Sequence, residues 1–117
     1  MNRVLIVDDG AFMRTLIKGM LVKHGYEIIG EAEDGLQGVE KYKALGPDLV
    51  TMDITMPHMD GIEALRNIME IDSNANVIMI SAMGQEVYIK EAIRLGAKSF
   101  VVKPFDEATL LSVLKGF

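Results

Sequence analysis

The 117 residues contain no cysteine, so neither a disulfide framework nor a thiolate metal or redox site can be built, and a reducing compartment is expected. Long hydrophobic runs are missing too. The first apolar stretch, Val4 to Val7, is stopped by Asp8-Asp9 far short of a signal-peptide core, and nothing later approaches a membrane span. A cytoplasmic chain without membrane insertion is expected. There is also no excess of basic charge: 12 Lys and Arg stand against 17 Asp and Glu, a formal net charge of −5, and the cations do not cluster. That balance repels phosphate backbones and argues against direct nucleic-acid binding. Low-complexity segments, long linkers and internal repeats are lacking as well. What is left, half hydrophobic and a quarter charged, has the composition of an ordinary globular protein, and its length suits one domain over residues 1–117.

Within that domain, short β-branched runs alternate five times with amphipathic stretches. The strands read as Arg3 to Asp8, Glu27 to Glu31, Leu49 to Asp53, Val77 to Ser81 and Ser99 to Val102. Their near-continuous apolar character suits parallel strands buried on both faces. Phe12, Met13, Leu16, Ile17, Met20 and Leu21 recur at helical spacing, with Gly25 placed for a left-handed stop. Asp34 caps a second helix carrying Leu36, Val39 and Tyr42, closed by Gly46-Pro47. A third begins at Asp60, with Glu63 as partner in a capping box, and buries Ile62, Leu65 and Ile68. Ile89, Ala92 and Ile93 mark a fourth, ended by Gly96. Asp106 opens a fifth with Leu110, Val113, Leu114 and Phe117 inward and a Phe105–Leu110 staple. The pattern predicts an α/β, doubly wound, five-stranded parallel sheet with five helices, a flavodoxin-like layout in which ligands bind beyond the carboxyl ends of the strands.

Four strand ends carry chemistry at that rim: Asp8-Asp9 after the first, Asp53 at the third, Ser81 at the fourth and Lys103 past the fifth. Only Glu31, at the end of the second, stands outside the set. Carboxylates brought within about 4 Å repel by roughly 4 kcal/mol per pair at an effective dielectric near 20, so a cation must accompany them. Mg²⁺ suits hard oxygen ligands and leaves positions for phosphate oxygens, whereas zinc would call for histidine or thiolate. A carboxylate beside Mg²⁺ and an ammonium can attack phosphorus and form an acyl phosphate. Asp53, on a central strand, is the expected nucleophile, with Ser81 able to hydrogen-bond a phosphoryl oxygen.

These blocks closely resemble the receiver domains of two-component response regulators, along essentially the whole chain. The family pattern appears in order as Asp8-Asp9, Asp53-Ile54-Thr55-Met56-Pro57-His58-Met59-Asp60-Gly61, Ser81-Ala82 and Lys103-Pro104-Phe105. The runs Ala11-Phe12-Met13-Arg14, Val50 to Pro57 and Ser81-Ala82-Met83-Gly84-Gln85 look most like stand-alone CheY-type chemotaxis regulators. The resemblance implies the strand order 2-1-3-4-5 and phosphorylation of Asp53 by a CheA-like histidine kinase. It further implies Mg²⁺ held through Asp9, Asp53 and the Thr55 main-chain carbonyl, with Asp8 acting through water, a phosphoryl-binding Lys103, and a cis Lys103–Pro104 bond. Ser81 and Phe100 would form the switch pair, with phenylalanine where many chemotaxis receivers have tyrosine. It implies a monomeric signalling protein rather than an enzyme, one that assists its own phosphorylation and dephosphorylation, with a flagellar motor switch protein as target and a phosphatase as a further partner.

Each feature has a plainer reading alone: an Asp-Asp pair after a strand is most often a turn or cap, Lys103 a solvated lysine, Ser81 a satisfied polar residue and Phe100 core. Their joint occurrence is what favours the site. His24, His58 and the nine methionines, Met83 included, carry no assigned chemistry. Four rivals remain at this level. A haloacid-dehalogenase-type Mg²⁺-dependent aspartyl-phosphate hydrolase would want its nucleophile after the first strand. A flavodoxin-like cofactor carrier would want a glycine-rich phosphate cradle where Asp8-Asp9 stands. A receiver that has lost phosphorylation would lack part of the set. A receiver of a transcriptional or sporulation-type relay would share all of it.

Overall fold

The computed structural model describes residues 2–117. The elements follow in strict alternation: β1 (Arg3–Val7), α1 (Ala11–Val22), β2 (Glu27–Ala32), α2 (Gly35–Leu45), β3 (Leu49–Asp53), α3 (Gly61–Ile71), β4 (Val77–Ser81), α4 (Glu86–Leu95), β5 (Ser99–Val102) and α5 (Glu107–Leu114). All five strands pair in parallel in the order β2-β1-β3-β4-β5. Parallel pairing forces every connection to cross a face of the sheet, so the helices cover both faces and all the carboxyl ends reach the same rim.

Side-chain alternation along the strands sorts the core into two layers. Val4 and Ile6 of β1 pack with Ile17 and Leu21 of α1 and Leu110 and Leu114 of α5. Leu5 and Val7 join Val39 of α2, Leu65 and Ile68 of α3 and Ala92 of α4 on the opposite face. Every residue of β3 and β4 is buried, as their near-continuous apolar character leads one to expect, and each large apolar side chain removed from water contributes about 1.5–3 kcal/mol. The expected caps form: Asp34, Asp60 and Asp106 accept from the main-chain N–H groups of Gln37, Glu63 and Thr109. Each such cap stabilises its helix by about 1 kcal/mol. Gly25, Gly46 and Gly96 take left-handed conformations after α1, α2 and α4.

Several expectations need correction. Asp8 lies just beyond β1 rather than in it, and β2 runs one residue further, to Ala32. Asp60 caps α3, but no bond returns from the Glu63 side chain to the Asp60 N–H among the described residues, so only half of the capping box is present. Phe12 is 80% exposed, and Leu16, Leu36, Ile93 and Phe117 are exposed as well. The apolar stripe of α1 is broader than the surface available to it. Ile17 and Leu21 take the core positions, while Phe12 and Leu16 line an open groove with Gly19, Met20, Lys23 and Glu107. Phe117 lies three residues past the end of α5 and lines a surface pocket beside Tyr42 and Leu49 instead of entering the core.

One glycine ties the fold to the strand ends. Gly61 opens α3, and its N–H donates to the Ile54 carbonyl at 2.7 Å. A side chain there would place Cβ 1.9 Å from the carbonyl oxygen of Asp53, an overlap only backbone movement could relieve. Gly61→Ala is therefore expected to destabilise the protein by about 3 kcal/mol, read as a lower urea midpoint with unchanged slope. An unchanged midpoint would show that this contact does not constrain the chain.

Candidate functional site

Asp53 is the last residue of β3, on the central part of the sheet, and is buried. Its Oδ1 accepts from the N–H of Ile54 at 3.0 Å. Asp8 is also buried, held from both sides: its Oδ1 accepts from the Gly10 N–H at 2.8 Å, and its own N–H donates to the Ala32 carbonyl at 3.0 Å. Asp9 is exposed. One carboxylate oxygen from each of Asp8, Asp9 and Asp53 lies within 4.8 Å of the others. The sequence places these acids far apart, and the parallel register of β1 against β3 brings them together.

Lys103, just past β5, points into this cluster. Its Nζ is 3.3 Å from Asp8 Oδ2 and 3.4 Å from Asp53 Oδ1, and its main-chain N–H donates to the Ser81 carbonyl at 2.7 Å. The Lys103–Pro104 bond is cis, as the resemblance implies. The Asp53 carboxyl is pushed up to about 6, by burial first and by the nearby charge of Asp8 second, with the Lys103 ammonium only partly opposing them. Three carboxylates facing one ammonium leave negative charge uncompensated.

That imbalance, with a donor set of hard oxygens and neither histidine nor thiolate within it, fits a divalent oxygen-seeking cation such as Mg²⁺. The site passes this test on its own chemistry. Asp8, Asp9 and Asp53 are the side chains that could hold such an ion. Thr55 lies exposed on the loop after β3, on the same rim.

Ser81 closes β4 and is buried, while Phe100 on β5 is 41% exposed. Both line one cavity of about 280 Å³, shared with Met83, Gln85, Ile89 and Val102. The two residues expected to move together thus border the same space. His24 and His58 lie outside the acidic cluster, His24 against Glu107 at 3.0 Å.

Two residues of the site escaped the reading of the strand ends. Arg14 donates to the Asp8 carbonyl at 2.6 Å and to Glu31 Oε1 at 3.2 Å. Glu31, set aside as remote, thus orients the arginine that fixes the Asp8 backbone. Gln85 links the loop after β4 to Thr55. A signal for Arg14 existed in its position one helical turn after Gly10; nothing in strand periodicity points to Gln85.

Residues 4–115 match the response regulator receiver domain family. The chain is similar to the chemotaxis protein CheY of Bacillus subtilis, 58% identical over 97% of this chain and 94% of that protein. It is 57% identical to the chemotaxis protein CheY of Thermotoga maritima over the same shares. Among solved structures, a CheX-CheY-BeF3-Mg²⁺ complex from Borrelia burgdorferi superposes with a TM-score of 0.94 at 48% identity, covering 97% of this chain and 87% of that one.

The raised Asp53 carboxyl has a consequence for stability. A carboxyl whose folded pKa lies above its unfolded value favours the fold fully below about pH 4, and that contribution disappears as pH rises through about 6. In chelator at pH 7–8, Asp53→Asn is expected to be more stable than the parent by about 1 kcal/mol, solvent at the rim screening the larger value that two pH units would imply. The gain should fade as pH falls toward 4. Urea titrations across pH test this, and a pH-independent difference would contradict the assigned cause.

Proposed function

The chain belongs to the response regulator receiver domain family, and on that premise we propose that Asp53 is its phosphoryl acceptor. The protein is a two-component signalling switch, highly similar to CheY chemotaxis regulators, rather than a classical enzyme. The observation that carries the residue assignment is the Lys103 ammonium lying nearly equidistant from Asp8 and Asp53 within the acidic cluster.

In the proposed transfer, an Asp53 Oδ attacks the phosphorus of a phosphohistidine on a histidine kinase. The new O–P bond forms as the P–N bond breaks, and its electron pair returns to the imidazole, which takes up a proton. Lys103 stabilises charge on the phosphoryl oxygens, preorganised by its main-chain bond to Ser81. Asp8, Asp9, Asp53 and the Thr55 main-chain carbonyl would hold Mg²⁺, which supplies charge neutralisation at the phosphoryl group when bound. Asp8 would act largely through water. Ser81, at the edge of the cavity it shares with Phe100, turns toward the phosphoryl group, and the half-exposed Phe100 ring follows. Hydrolysis by water attacking the same phosphorus, with the Asp53 carboxylate leaving, resets the switch.

A partner can be controlled this way only if it binds the two forms with different affinity. The partners we propose are a CheA-like histidine kinase, a flagellar motor switch protein and a phosphatase; the Borrelia burgdorferi structure joins its own CheY to CheX. No helix among the described residues is long and apolar enough to cross a membrane. We place the protein in the cytoplasm, with a receiver domain over residues 1–117 that acts as a monomer and does not bind nucleic acid.

Incubation with a small acyl phosphate and Mg²⁺ is expected to add one phosphoryl group by intact mass, lost in Asp53→Asn. Label on another residue of the parent would overturn the acceptor assignment. Mg²⁺ should also raise the melting temperature, by about 2.7 kcal/mol of added stability at a hundred times its dissociation constant. Asp9→Asn should reduce that shift, and a parent protein insensitive to Mg²⁺ would count against the metal site.

A further inference from the structure

The loop between β4 and α4 runs Ala82-Met83-Gly84-Gln85. Gly84 has φ +88°, a conformation that a third turn residue adopts without strain only when it lacks a Cβ. The turn folds the Gln85 side chain back over the start of its own loop, where Oε1 accepts from the Ala82 N–H at 2.6 Å. That N–H can only donate, which fixes the orientation of the amide. The other end of the amide reaches outward, and Nε2 donates to the Thr55 hydroxyl at 2.9 Å. Gln85 stands at the N-cap position of α4 yet makes no side-chain cap bond. Its polar atoms instead join the loop that follows Ser81 to the loop that follows Asp53.

We infer that Gln85 is a positioning residue, a bridge between the β3–α3 and β4–α4 loops that holds the switch in its unphosphorylated geometry and opens when Asp53 takes a phosphoryl group. The inference rests on the acceptor role of Asp53. A phosphoryl group there carries a charge of about −1.5 to −2 and inserts volume between the two loops the bridge ties together. Ser81, now buried, has to turn toward it, and the loop from Ala82 to Gln85 is too short to absorb that movement without passing it on. A neutral, exposed amide bridge is weaker than a charge-assisted bond to a phosphoryl oxygen. The bridge therefore shifts the balance between the two states without forbidding either, and ties that balance to the start of α4.

The probe for the test is beryllium fluoride with Mg²⁺, a reversible mimic of the phosphoryl group, titrated by calorimetry into the whole chain. Gln85→Met keeps the length of the side chain and removes both polar atoms; Gln85→Ala removes the side chain as well. Both are expected to bind the mimic about two- to tenfold more tightly than the parent, while the fluoride-free melting temperature stays level or falls. A merely structural lesion would lower affinity and stability together. Thr55→Val, which removes the acceptor of the bridge, should tighten binding similarly, and the double variant should gain nothing over either single one. Unchanged or weaker binding in both Gln85 variants, or additive gains, would overturn the bridge while leaving Asp53 in place. Failure of the parent to bind the mimic would overturn the acceptor reading and this inference with it.

Discussion

Uncompensated negative charge at the carboxyl rim is the constraint on which the rest of this structure depends. Asp8 and Asp53 are both buried beside one another and share one ammonium, with Asp9 within reach. In isolation such a cluster works against folding, because burial penalises each carboxylate and each repels the next. The chain tolerates it because two packed layers of core hold the sheet beneath it. The rim can then remain short of one cation, a shortfall that a divalent ion would make good.

Holding the acids in place falls to the backbone rather than to ion pairs. Asp8 is fixed through the Gly10 N–H, the Ala32 carbonyl and the Arg14 guanidinium. Asp53 is fixed by its place at the end of a wholly buried strand and by the close approach of Gly61. Lys103 is fixed by its main-chain bond to Ser81, which makes the residue proposed to move a direct neighbour of the residue that carries the ammonium. Geometry set by main-chain bonds persists when charges change, whereas geometry set by ion pairs would not. A site proposed to change charge in use needs the first kind.

Much of this was legible in the chain. Strands β3, β4 and β5 could be bounded to the residue because their apolar runs end in Asp53, Ser81 and Val102, where a core gives way to a rim. The caps at Asp34, Asp60 and Asp106 could be named because a side-chain acceptor before an amphipathic run has one obvious use. The exposure of Phe12 and Leu16 could not be foreseen from periodicity, which reports that a helix has an apolar side but not how wide a surface waits for it. Arg14, marked only by its place one helical turn after Gly10, and Gln85, not marked at all, escaped for a different reason. Arg14 works through the Asp8 carbonyl, and Gln85 through the Ala82 N–H and the Thr55 hydroxyl, contacts that the periodicity of strands and helices does not report. The strand order came from resemblance alone, since alternation of elements fixes a parallel sheet without fixing which strand lies beside which.

The division between buried and exposed parts of the site explains how one small domain can be both rigid and switchable. Asp8, Asp53 and the strands that carry them belong to the core, where displacement would cost packing on both faces. Thr55, Met83 and Gln85 belong to loops whose polar contacts are few and exposed, where displacement costs little. A charge placed on Asp53 therefore cannot be relieved downward into the sheet. On the proposed phosphorylation it would act upward, on the loops and on Ser81, and through the cavity that Ser81 shares with Phe100 toward the outer surface of β5. The direction of the response follows from where the structure is stiff.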